Sequence, residues 1–184
     1  MTTYKPAGPV AKAFMMDDSF FRGIMGPFGS GKSTVCIMEI LRRASLQQPG
    51  KDGIRRSRWA VIRNTYPELR TTTIKSWHQW VSPELGRWVD EGPPFHHIKM
   101  GDMDLEVLFV ALDRPQDISK LLSMELTGAW VNEARRRISM IQTVLLPLPN
   151  GPMIPRKNES SIMNAFATGP AGLYVVITRG RSGC

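Results

Sequence analysis

Gly26-Pro27-Phe28-Gly29-Ser30-Gly31-Lys32-Ser33-Thr34 is the stretch that decides how the chain is read. It fits G-x-x-x-x-G-K-[ST], the pattern of a phosphate-binding loop. Gly26, Gly29 and Gly31 let the backbone take positive φ and bring its N–H groups close to phosphate oxygens. A helix directly after the loop adds free N–H groups and the positive end of its dipole. Lys32 can reach the β- and γ-phosphates of ATP, and the Ser33 hydroxyl can ligate Mg²⁺. Residues 26–34, with Pro27, Phe28, Ser30 and Thr34 among them, are therefore candidate ATP contacts.

Such a pattern arises by chance in a chain of this length on the order of one time in a hundred, so context must decide. Phe20-Phe21-Arg22-Gly23-Ile24-Met25 reads as a strand running into the loop. Residues 33–48 read as a helix, with Val35, Ile37, Met38, Ile40, Leu41 and Ala44 on a broad apolar face. Pro49-Gly50 stops it, and a basic loop is expected over 49–58. Trp59-Ala60-Val61-Ile62-Arg63 fits a buried parallel strand. Strand, helix and strand make a βαβ unit with a right-handed crossover.

The length of 184 residues suits one domain with a real core, and 42% hydrophobic with 22% charged residues is ordinary for a globular protein. No apolar run is long enough to span a membrane, and the first residues lack a signal-peptide pattern, so a cytoplasmic protein is expected. Two cysteines, Cys36 and Cys184, make no disulfide framework. The net charge of +8 exceeds what ATP alone calls for and favours a polyanionic partner. It is clustered in Arg55-Arg56-Ser57-Arg58 and Arg135-Arg136-Arg137, for which a solvated surface is the competing reading.

The rest of the chain supplies further elements. Residues 1–19 form an irregular lead-in with a helical piece near 11–16, able to lie across a nucleotide base. A helix over 72–80 carries Ile74, Trp77 and Val81 on one face. Residues 95–100 and 103–112 read as a hairpin turned at Gly101-Asp102. His96 and His97 point to opposite faces of a strand, which argues against a shared metal ion. Trp77, Trp80 and Trp88 read as core or cover residues rather than base-stacking platforms. A helix is expected at Ile118, Leu121 and Leu122.

A phosphate-binding loop needs an acidic partner strand. Ala129-Trp130-Val131-Asn132-Glu133 is the downstream candidate, placing Asn132 and Glu133 at the carboxyl edge of the sheet. Glu133 can act as base or orient water. Asn132 supplies no negative charge, but its amide oxygen can bond a metal-bound water or position Ser33.

Three stretches together resemble the N-terminal ATPase domain of tailed-phage terminase large subunits. They are the loop, Arg63-Asn64-Thr65-Tyr66-Pro67-Glu68-Leu69-Arg70-Thr71-Thr72, and Leu126-Thr127-Gly128-Ala129-Trp130-Val131-Asn132-Glu133-Ala134-Arg135. The resemblance covers residues 4–137. It implies an α/β P-loop NTPase of the ASCE type, with a mostly parallel central sheet flanked by helices, plus the hairpin. It implies Glu133 as catalytic glutamate, Lys32 on phosphate, Ser33 on Mg²⁺, Asn132 reaching Mg²⁺ through water, and Arg63 near the nucleotide. Some family members carry an arginine where this chain has Phe28. A transition-state arginine is then sought at Arg70 or Arg114. The implied function is a motor that hydrolyses ATP to package double-stranded DNA in the host cytoplasm, as a homo-oligomeric ring working with portal protein and small terminase subunit, away from membranes. A helicase-like ATPase and a non-catalytic nucleotide- or DNA-binding remnant are the alternatives. Residues 20–137 make up the ATPase domain on this reading. Residues 138–184 lack the family's coupling motif and nuclease, beyond a loose likeness at Thr168-Gly169-Pro170. Residues 174–178 read as one strand. The tail is expected to be poorly ordered or non-native, as in a truncated or frame-shifted reading frame.

Overall fold

The computed structural model describes residues 4–113, 117 and 124–133, and the backbone of 174–178. In chain order these form α1 (Pro9–Met16), β1 (Phe21–Ile24), α2 (Lys32–Ser45) and β2 (Arg55–Arg63). A helical segment follows, made of α3 (Tyr66–Glu68), a π-helical turn (Leu69–Ile74) and α4 (Lys75–Trp80). Then come β3 (Arg87–Val89), β4 (Phe95–Met100), β5 (Met103–Ala111), β6 (Gly128–Val131) and β7 (Tyr174–Thr178).

The strands make one sheet in the order β1-β7-β6-β2-β5-β4-β3. The architecture is α/β, but the sheet is mixed, which corrects the expectation of a mostly parallel one. Only β6-β2-β5 is parallel. The hairpin turn at Gly101-Asp102 forces β4 antiparallel to β5, and β3 continues that meander. On the other side β7 enters between β1 and β6 and runs against both. These two reversals cancel, so β1 and β2 still point the same way, as a βαβ unit requires.

Alternation along β2 explains its burial. Trp59 and Val61 join Leu105, Val107 and Phe109 of β5 and Trp130 of β6 in one core cluster. Val35, Ile37 and Ile40 of α2, with Ile74 and Trp77 of the helical segment, close over it. Ala60, Ile62, Ala129 and Val131, on the opposite face, are buried as well. Burial on both faces is why these strands read as unbroken apolar runs rather than alternating ones.

Arg55-Arg56-Ser57-Arg58 is not part of a loop. β2 begins at Arg55, in parallel register with β5 from Met103. Ser57 is buried while Arg56 and Arg58 are exposed, the period-2 signature of a strand. Trp77 is a core residue, whereas Trp80 is about half exposed. His96 is buried between Trp77, whose Nε1 donates to its Nδ1 at 2.9 Å, and the Leu85 carbonyl, 2.9 Å from its Nε2. His97 pairs instead with Asp104. Among the described residues no helix is long and apolar enough to cross a membrane. The expected helix at 118–122, Arg114, Arg135-Arg136-Arg137, Thr168-Gly169-Pro170 and the tail apart from β7 lie outside the described residues.

Candidate functional site

The carboxyl ends of β1, β2 and β6 converge on one cleft of about 470 Å³. Phe28, Gly29, Ser30, Gly31, Lys32, Ser33 and Thr34 form one wall, and Arg63, Asn132 and Glu133 form another. The nucleotide- and metal-contact residues expected from the sequence, other than Gly26 and Pro27, therefore all border this cleft. Gly26 and Pro27 contribute through their carbonyls: the Lys32 ammonium donates to Gly26 O at 2.9 Å, Pro27 O at 2.6 Å and Ser30 Oγ at 3.2 Å.

Two glycines carry the loop's shape. Gly29 has φ 77° and Gly31 φ 78°, and Gly31 is the N-cap of α2. A side chain at either would be strained, roughly 1 kcal/mol or more in this left-handed region. Gly31 also has the lead-in beside it, since a Cβ there would lie 3.8 Å from that of Ala7. Phe28 stands fully exposed at the loop's tip. Lys32 is only 6% exposed, and desolvation holds its pKa below the usual lysine value, opposed by the negative charge of Glu133. The loop is thus folded around its own buried cation, which its carbonyls satisfy.

Arg63 ends β2 and is also buried. Its Nη2 lies 3.0 Å from Glu133 Oε2, and its Nε lies 3.5 Å from Glu68 Oε2. Glu133 follows β6 with φ 55°, a left-handed conformation uncommon outside glycine. Its carbonyl accepts from Asn64 Nδ2 at 3.3 Å. Backbone strain of this sort clusters where a side chain must be aimed. Asn132 is 3% exposed. Its backbone N–H donates to Ile62 O at 2.9 Å and its Nδ2 to Thr73 Oγ1 at 2.9 Å.

The rest of the cleft comes from the helical segment: Thr71, Thr72, Lys75, Ser76 and Gln79. Only that helix's apolar stripe is expected from the sequence. The signal for its other face was present, since Thr72, Lys75, Ser76 and Gln79 recur at helical spacing opposite Ile74 and Trp77. Arg70 is not on this wall; its guanidinium contacts Tyr66 Oη at 3.0 Å and Asp90 at 2.5 Å.

Comparison with family models, curated proteins and solved structures finds no match to this chain.

Proposed function

We propose that the chain is a Mg²⁺-dependent P-loop ATPase, and that it is the motor domain of a terminase-like DNA-packaging machine. The observation that carries the ATPase reading is the single cleft in which the glycine loop with Lys32 and Ser33 faces Asn132 and Glu133. Phosphate oxygens entering the loop would replace the carbonyls now holding the Lys32 ammonium and set full negative charge beside a desolvated cation. The loop N–H groups and the start of α2 complete the anion site.

The residues present fit a nucleotide-borne Mg²⁺. Among the described residues no group of three or more His, Cys, Asp or Glu could cage a metal. Mg²⁺ is commonly held by substrate phosphates, waters and one or two protein oxygens. Ser33 Oγ would be the direct ligand and Asn132 Oδ1 the acceptor for a metal-bound water. The ion would supply neutralisation of charge on the transferring phosphoryl group. Glu133 would orient the attacking water and accept its proton. Its Oε2 is held by Arg63, so Oε1 would be the oxygen left for that task.

The packaging role rests on the resemblance in the three stretches quoted above; double-stranded DNA, portal protein and a ring of like subunits belong to it. A binding-only remnant is the second reading, favoured by Asn132 in place of a carboxylate. ATP binding and turnover on the 184-residue chain separate the two. The expected result is turnover that falls at least about 100-fold in Lys32→Ala and Glu133→Gln, with Glu133→Gln still binding ATP. Unchanged turnover in either would refute the assignment, and binding without turnover in the parent chain favours the remnant. Packaging into portal-bearing capsids distinguishes a terminase from a helicase-like motor.

A further inference from the structure

The helical segment between β2 and β3 contains three consecutive threonines that behave differently. Thr71 Oγ1 donates to Pro67 O at 2.8 Å and Thr72 Oγ1 to Glu68 O at 2.7 Å, the usual backbone bonds of exposed helical threonines. Thr73 is 1% exposed and instead meets the Asn132 amide across 59 residues of chain. This third threonine lies in the π-helical turn Leu69–Ile74. Such turns recur at functional sites.

Asn132 has no freedom left on its backbone side, where its N–H is bonded to Ile62 O. On its side chain, Nδ2 is taken by Thr73, while Oδ1 is buried and has no hydrogen-bond partner among the described residues. A buried amide oxygen without a partner costs about 1–3 kcal/mol unless something fills it. Asn132 borders the cleft, so the filling group can come from there.

We propose that Thr73 is a positioning residue: it fixes the Asn132 amide so that Oδ1 faces the cleft as a neutral acceptor for a water on a hydrated divalent cation. The inference rests on the nucleotide reading of the cleft. It explains how a neutral residue can stand where a carboxylate is usual. An unrestrained amide would present its NH₂ as readily as its oxygen, and an NH₂ group repels a cation's hydration shell. The opposite orientation, with the Thr73 hydroxyl donating to Oδ1 and NH₂ facing the cleft, predicts a phosphate-oxygen contact instead.

The test uses Thr73→Val, Thr73→Ser and Asn132→Asp in the full chain. Thr73→Val keeps the buried shape but removes the partner of Nδ2. Turnover is expected to fall roughly 10-fold to 100-fold, the Mg²⁺ concentration for half-maximal activity to rise, and Thr73→Ser to restore both. Asn132→Asp should retain Mg²⁺-dependent turnover, because an oxygen is still presented. Wild-type turnover and Mg²⁺ requirement in Thr73→Val, or loss of turnover in Asn132→Asp, overturns the proposal. A second readout does not depend on catalysis. With ¹⁵N-asparagine labelling, the Asn132 side-chain NH₂ should be protected from exchange in the parent chain and lose that protection in Thr73→Val. An unaltered NH₂ signal overturns the proposal even if the parent chain proves unable to hydrolyse ATP, a result that would count separately against the catalytic reading.

Discussion

At the scale of single residues, the fold places several polar groups under cover. His96 is an example with a measurable consequence. Its Nδ1 accepts from Trp77 and its Nε2–H donates to Leu85 O, so it is held as the neutral tautomer. Desolvation pushes its pKa below 6.5, the bond to Leu85 opposes this, and the neighbouring His78 adds to the lowering. A depressed folded-state value means that the unfolded chain takes up the proton first. Stability is therefore full above pH 6.5 and is lost as pH falls from there through the folded value. Urea midpoints measured across this range should fall with acidification, and His96→Gln should flatten that slope. An identical slope in the variant would remove His96 as the cause. Arg63 and Lys32 are the corresponding buried cations of the cleft, each held by partners that a bound nucleotide would rearrange.

At the scale of elements, one carboxylate ties three of them together. Glu39 of α2 is fully buried and contacts Arg22 of β1 at 2.6 Å, with Arg42 and Arg43 from its own helix. Arg22 also reaches Phe14 O in α1 and Asp17 O beyond it. Burial alone would raise the Glu39 pKa, but the bonds from Arg42, Arg43 and Arg22 outweigh it and hold it below the ordinary value. The strand that enters the glycine loop and the helix that leaves it are thus clamped by one ion-pair network. Glu39→Gln would leave Arg22 buried without a counter-charge, a change that typically costs about 3–5 kcal/mol. Chemical denaturation should record a loss of that size, and a change under about 1 kcal/mol would mean that water or another acid reaches Arg22.

At the scale of the whole molecule, the basic cluster at 55–58 adds less unpaired positive charge to the net +8 than its sequence suggests. Arg55 is paired with Asp102 and Arg56 with Asp52, whose carboxyl it holds at about 2; Arg58 is paired with Glu106. DNA phosphates would have to displace three acids to use this cluster. In salt-titrated anisotropy with double-stranded DNA, replacing Arg55, Arg56 and Arg58 by Ala should change the slope of log affinity against log salt by less than about 1. A slope reduced by about 3 would mean that all three reach phosphate.

The amino-acid sequence alone specifies the glycine loop, the strand before it, the helix after it, the β4–β5 hairpin and the polar end of β6. Each is a local pattern: glycines where φ is positive, an apolar period, a two-residue turn. It also marked Lys32, Ser33, Asn132 and Glu133 as one site, because strand ends on a shared sheet edge must meet. What it could not determine was the order and direction of strands far apart in the chain. The place of β7 between β1 and β6, and hence the mixed sheet, depends on pairing across some 150 residues, which no local period encodes. The start of β2 at Arg55 was hidden because its arginines look like loop residues until Asp102 and Glu106 come alongside. The wall formed by Thr71 to Gln79, and the bond from Asn132 to Thr73, exist only because the helical segment packs over the end of β6. Tertiary structure alone decides such contacts, since a threonine's hydroxyl carries no sign of its partner until the fold supplies one.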